Sequence, residues 1–134
     1  MKQNIPLEEH EGMYFADWLR LKKINFFHVT NENVFKPAQR KKLKRQGLHA
    51  GVQDYVVFLP SVILFIELKR RKKKLLSGKM SVSHTKTTEE QYKWRDIVNG
   101  YGYAKAEICY GWNEAVEFVE GEINKIAYKR IRNE

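Results

Sequence analysis

The sequence contains a single cysteine, Cys109. A lone thiol excludes a disulfide framework and a cysteine zinc cluster, and a reducing, cytoplasmic setting is the default expectation. Cys109 falls inside an apolar segment with no adjacent base, which suits a buried small residue better than a nucleophile. Long hydrophobic runs are missing too. Residues 55–60 and 62–66 form the longest, far too short to span a bilayer. The opening MKQNIPLEEHEG has none of the apolar stretch of a signal peptide. His10, His28, His49 and His84 show no HxxxH pairing and no zinc spacing. No GxxxxGK[ST] phosphate loop occurs, so no nucleotide cofactor is expected. There are no internal repeats and no linker, which leaves one domain over residues 1–134.

What is present suits a folded globule: 43% hydrophobic and 13% aromatic residues. The formal charge is +9 and unevenly placed. Between Lys36 and Lys93 stand fifteen Lys/Arg against four Asp/Glu, whereas the remainder of the chain is slightly acidic. A basic middle of this kind points to a polyanion, with nucleic acid as the expected partner and a merely solvated basic face as the alternative.

Hydrophobic spacing predicts an amphipathic helix over 7–23, with early glutamates at the positive end of its dipole. A strand is expected over 24–29, then a loop over 30–35. A short basic helix should start at Pro37, run through Arg45 and stop at Gly47. Two strands follow, joined by a Pro60–Ser61 turn into an antiparallel hairpin. Residues 70–88 read as a mobile polar loop. Thr87 with Glu90 has capping-box spacing and opens a helix to about Asn99. Another strand is expected over 104–110. Asn113 can cap a last helix from Glu114 to about Ile123, which the final residues extend or fray. The order αβαββαβα makes an α/β fold with a mixed central sheet flanked by helices.

The hairpin, GVQDYVVFLPSVILFIELK, carries the chemistry. Asp54 opens its first strand, and Glu67 and Lys69 close its second. Charged groups are costly on a core strand. Positions i and i+2 share one face, so Glu67 and Lys69 project together while Leu68 enters the opposite layer. Twelve residues separate Asp54 from Glu67, enough to go up one strand and down the next. Two carboxylates and an ammonium then meet at one end of the sheet. Mg²⁺ commonly uses only one or two carboxylates, several waters and a substrate phosphate. A lysine beside them can orient water or stabilise a phosphoryl transition state. A salt-bridged strand end is the plainer reading of the same residues.

The order of EEHEGMYFADWL, HVTNE, LKRQGLHAGVQD, FIELKR, EEQYKW and GYAKAEICYGWNEA resembles the PD-(D/E)XK nucleases. Within them it resembles the virus-type replication-repair nuclease domain, VRR-NUC, in its small stand-alone phage and bacterial form. The resemblance implies a restriction-endonuclease-like core and a Mg²⁺- or Mn²⁺-dependent endonuclease. Asp54 and Glu67 would be metal ligands, joined by the Leu68 carbonyl. Lys69 would be the catalytic lysine, and Gln91 would border the site. An acid on the first helix completes the set: Glu11, with Glu9 and Glu8 as alternatives. Gln53 replaces the family's usual proline, and Gly12 stands where relatives often carry glutamine. Arg40, Lys41, Lys42, Lys44, Arg45 and the run Arg70, Arg71, Lys72, Lys73, Lys74 would hold DNA phosphates. Branched DNA such as a Holliday junction is the implied substrate, cut by a homodimer, since paired nicks need two sites. Alternatives are a non-catalytic nucleic-acid-binding module, or the same chemistry on flap, single-stranded or duplex DNA.

Overall fold

A computed structural model describes residues 5–29, 35–81 and 86–132. His84, most of the loop expected over 30–35, and residues 82–85 lie outside the described residues. The elements are α1 (Glu8–Leu21), β1 (Asn25–His28), α2 (Pro37–Arg45), β2 (Tyr55–Leu59), β3 (Val62–Lys69), β4 (Lys73–Lys74), β5 (Met80–Ser81), α3 (Glu89–Asn99), β6 (Ala104–Tyr110) and α4 (Trp112–Arg132).

Four strands form the central sheet in the order β1-β2-β3-β6. The β1–β2 and β2–β3 pairs are antiparallel and β3–β6 is parallel, so the sheet is mixed as expected. Alternation along β3 divides the layers. Leu64, Ile66 and Leu68 join Phe15 and Leu19 of α1 and Ala115 and Val119 of α4 in the main core. Phe65, on the other face, packs with Ala104, Ala106 and Val98 of α3. Glu67 and Lys69 share the α3 face with Phe65, at the end of the strand.

Local chemistry explains most boundaries. Pro37 occupies the first turn of α2, and Gly47, at φ +109°, ends it in the left-handed region that glycine adopts without strain. Helix α2 buries none of its residues, as a strongly basic helix should not. Gly51 is required for a different reason. Its φ is +83°, and a Cβ there would stand 2.5 Å from the carbonyl carbon of Glu90. The loop leading to Asp54 can therefore lie directly on the start of α3, an approach that the His49–Trp94 ring contact at 5.2 Å reinforces.

Three expectations need correction. The supposed loop over 70–88 contains a small antiparallel hairpin, β4–β5, turned at Gly78 with φ +84°. Two-residue strands of lysine and Met-Ser carry too little apolar periodicity to register in the sequence. Helix α3 is capped by Thr88, whose hydroxyl accepts from Gln91 N, while Gln91 Oε1 accepts from Thr88 N. That is a capping box one residue later than the Thr87–Glu90 pairing. Helix α4 begins at Trp112 rather than after an Asn113 cap, and it runs to Arg132. Gly121 on the way costs about 1 kcal/mol, which does not stop a helix held by packing. Among the described residues no helix is long and apolar enough to cross a membrane.

Candidate active site

The hairpin brings Asp54, Glu67 and Lys69 to one corner. Strand β2 ends its ladder at the Tyr55–Ile66 pair, so β3 continues unpaired on that side. Asp54 turns into the vacated place, and its Oδ2 accepts from Leu68 N at 3.1 Å. The N–H and C=O of one strand residue point to the same side. The Leu68 carbonyl therefore also faces the open side beyond β2.

Glu67 is 5% exposed and Lys69 9%. Lys69 Nζ stands 3.6 Å from Glu67 Oε1, and Gln91 Nε2 donates to the same oxygen at 2.6 Å. The other oxygen, Glu67 Oε2, is buried without a hydrogen-bond partner among the described residues. Gln91 thus has two tasks: its oxygen caps α3 and its nitrogen holds Glu67. The capping box fixes the rotamer that reaches the site.

The electrostatics follow from burial. Desolvation pushes the Asp54 carboxyl up to about 6, against the lowering effect of the Leu68 N–H. Desolvation, then the neighbouring Asp54 charge, pushes Glu67 up to about 8, although Lys69 pulls it down. Glu8 raises both. A corner with this much uncompensated negative charge favours either a proton or a cation.

Not every sequence-derived candidate arrives there. Glu11 is fully buried and points elsewhere. Its Oε1 pairs with Arg71 Nη2 at 2.9 Å and Nε at 3.0 Å, and its Oε2 accepts from Trp112 N, the first N–H of α4. It ties α1 to the exit of β3 and to the start of α4. The first-turn acid that faces the corner is Glu8. With Glu9, Gly12, Asp54 and Leu68 it lines a cleft of about 510 Å³ between α1 and the sheet. At Gly12 a Cβ would stand 2.5 Å from the Tyr55 hydroxyl, so Tyr55 fills the room a side chain would need. Replacing Glu11 with alanine is expected to cost about 3–5 kcal/mol of stability in urea, the penalty for breaking a buried pair from one side. Divalent-ion affinity should stay unchanged. Lost metal binding with unaltered stability would make Glu11 a ligand after all.

The basic run after β3 is likewise divided. Arg70 donates to the carbonyls of Pro6 and Ile5, both at 2.9 Å, and clips the chain ahead of α1. Arg71 is committed to Glu11. Lys72 Nζ lies 4.7 Å from the centre of the Tyr110 ring. Arg70 and Arg71 are therefore built into the fold rather than offered to a polyanion. Lys73 and Lys74 lie exposed on β4. Lys41, Lys42, Lys44 and Arg45 are exposed on α2, and Arg40 is half-buried.

Two residues with no role at the site expected from sequence adjoin it. Tyr110 pairs with Lys69 across β3–β6, and its hydroxyl bonds that of Thr87 at 2.6 Å. Gln53, where the resemblance expects proline, is 2% exposed with neither amide atom hydrogen-bonded among the described residues. Cys109 is buried in the core, and burial pushes its thiol far above the usual range, as an inert residue requires. Trp18 and Trp112 pack against the main core.

Among the described residues no three His, Cys, Asp or Glu side chains form a ready-made metal cluster. A hard cation here would have two carboxylates and a backbone carbonyl, with water or substrate completing the shell, a ligand set that Mg²⁺ accepts. The buried Glu67 Oε2 without a partner fits a cation ligand, since an orphaned carboxylate oxygen is otherwise costly.

The sequence matches no protein-family model and no curated protein. The fold does have a solved counterpart: a structure described as a VRR_NUC domain protein matches with a TM-score of 0.66, at 16% identity and over 92% of each chain. The architecture, a mixed sheet flanked by helices, is the fold of that structure.

Proposed function

We propose that this chain is a single-domain, divalent-metal-dependent DNA endonuclease that hydrolyses phosphodiester bonds. The observation that carries the reading is the corner itself. Two desolvated carboxylates, one with an unpartnered oxygen, stand beside a nearly buried lysine at the open end of a sheet that shares its fold with a VRR_NUC domain protein.

Asp54, Glu67 and the Leu68 carbonyl would hold Mg²⁺ or Mn²⁺, with Glu8 adding charge from across the cleft. The bound metal would neutralise the phosphoryl oxygens and lower the pKa of the attacking water. Lys69 donates to the attacking water or to a non-bridging phosphoryl oxygen, which orients one or stabilises charge on the other. Gln91 keeps Glu67 in one rotamer at the end of β3, beside Lys69. The α2 cations and Lys72–Lys74 hold phosphates and supply affinity without sequence information.

Within this reading the substrate is branched DNA such as a Holliday junction, and the active form is a C2 homodimer. Both follow from the resemblance in motif order and from the need for two symmetric nicks. The test is direct. A labelled four-way junction, a flap and a matched linear duplex are incubated with the protein in Mg²⁺, Mn²⁺ and EDTA. Paired symmetric cuts in the junction, absent in EDTA, are expected. Cutting of flap or duplex alone would retain the chemistry and discard the junction. Tight binding with no cutting in either metal would leave a non-catalytic binding module.

A further inference from the structure

The opposite end of the sheet carries a second charged feature. A cleft of about 540 Å³ lies between the Pro60–Ser61 turn and the second half of α4. Its charged lining is Lys105, Lys125, Lys129, Arg130 and Glu122. Glu122 is 5% exposed and both its oxygens are engaged, by Lys105 Nζ at 2.8 Å and Lys125 Nζ at 2.9 Å. The carboxylate is thereby spent inside the protein, where it braces two lysines at the cleft wall. Lys129 and Arg130 have no ion-pair partner among the described residues.

Cations gather at helix C-termini to complement the dipole, but that does not account for this group. Lys105 comes from β6, and the wall across from α4 is the β2–β3 turn. We propose that this cleft binds the phosphate backbone of nucleic acid, as a second contact remote from the candidate nuclease centre. The inference rests on the nucleic-acid partner of the proposed function and adds a site to it.

Spacing favours a polymer over a small anion. From Lys125 to Arg130 the helix cations of the cleft spread over five residues, about 7.5 Å along the axis, and Lys105 adds a fourth from the sheet. A row of phosphates matches that length; a single phosphate would need converging donors. The cleft adjoins Val62 at the start of β3, whereas Lys69 ends that strand, about 23 Å away at the rise of an extended chain. A bound polynucleotide must extend that far past the reacting phosphate, or a second arm of a branched one must reach there.

The test uses the full chain in EDTA, so that nothing is cleaved, and compares it with a Lys129→Gln/Arg130→Gln double variant. Both side chains are exposed and glutamine keeps the helix, so the fold should hold, which thermal melting verifies. Affinity for a four-way junction and for a duplex of about six base pairs is measured against salt. The slope of log K on log salt should become shallower by about 1–2 for the junction, near 0.9 for each lost phosphate contact. The short duplex, which cannot engage both sites at once, should lose less affinity than the junction. Charge reversal with glutamate at the same positions should weaken junction binding further. Equal slopes and affinities for wild type and both variants on the junction would overturn the proposal. The readout is binding, so an absence of cleavage in any metal would remove the nuclease reading and leave this one standing.

Discussion

Lys69→Ala and Glu67→Gln should each lower the rate of phosphodiester cleavage by about 10²–10⁴-fold, while binding to uncut DNA in EDTA is retained. The magnitude is that of removing one preorganised transition-state donor or one acid–base group. The two variants should separate on metal titration. Lys69 holds the Glu67 carboxyl down, so its loss makes Glu67 easier to protonate and a worse ligand at neutral pH. Part of the Lys69→Ala defect should therefore recover at high Mn²⁺ and high pH. The part that persists at saturating metal is the lysine's own role at water or phosphoryl oxygen. Glu67→Gln removes a ligand charge and should not recover. Full recovery of Lys69→Ala with metal would reduce that residue to a tuner of Glu67; unchanged cleavage in both variants would move the chemistry out of this corner.

Stability of the metal-free protein should fall as pH rises from about 5 to 8.5, opposite to the ordinary carboxylate case. Asp54 and Glu67 are raised to about 6 and about 8 in the fold, above their unfolded values near 4. Over that interval the folded chain binds more protons than the unfolded one, so stability is greatest at the acid end and is lost through the folded pKa values. At 1.36 kcal/mol per unit these values set an upper bound of about 5 kcal/mol on the loss, on the order of 10–20 °C in Tm for a chain of this size. Divalent cation should restore it at pH 8.5, since a ligand that binds only the folded state adds stability by mass action. Calorimetric melts at both pH values, with EDTA or Mg²⁺, give the four numbers needed. Glu67→Gln should flatten the pH dependence and raise the melting point of the metal-free protein at pH 8.5. Parallel pH profiles for wild type and variant would show that Glu67 does not carry the linkage.

The sheet, its mixed character and the meeting of Asp54, Glu67 and Lys69 could be read before any coordinates, because they depend on local rules. Side chains alternate with period two, a two-residue turn sets the hairpin register, and twelve intervening residues bring the chain back to where it started. Gln91 could be placed only through motif resemblance. Its connection to Glu67 depends on which of two overlapping capping boxes forms. Thr87-x-x-Glu90 and Thr88-x-x-Gln91 both satisfy the pattern; the second forms, and Thr87 bonds the Tyr110 hydroxyl. Capping rules describe a helix in isolation and do not see the strand beside it.

Charge was the least legible property. Glu8, Glu9 and Glu11 lie within one turn, each about 100° around the helix from its neighbouring position, so sequence distance says nothing of which one reaches Asp54. Helix α4, 101 residues further on, decides the matter by offering the Trp112 N–H to Glu11. Arg70 and Arg71 count as positive charges in any composition, yet backbone carbonyls of residues 5 and 6 hold one and Glu11 holds the other. The cations along α4 lie outside the basic middle, in a part of the chain whose net charge is slightly negative. Lys105 of β6 joins them only in the fold, where the inward-turned Glu122 holds it beside Lys125. The sequence by itself determined the order of the helices and central strands, the layers of the sheet and the charged pair on β3, since periodicity and turn chemistry act over a few residues. Tertiary structure alone decided which ionisable groups are spent on one another and which remain for a ligand, because Coulomb and hydrogen-bond energies depend on distance in space.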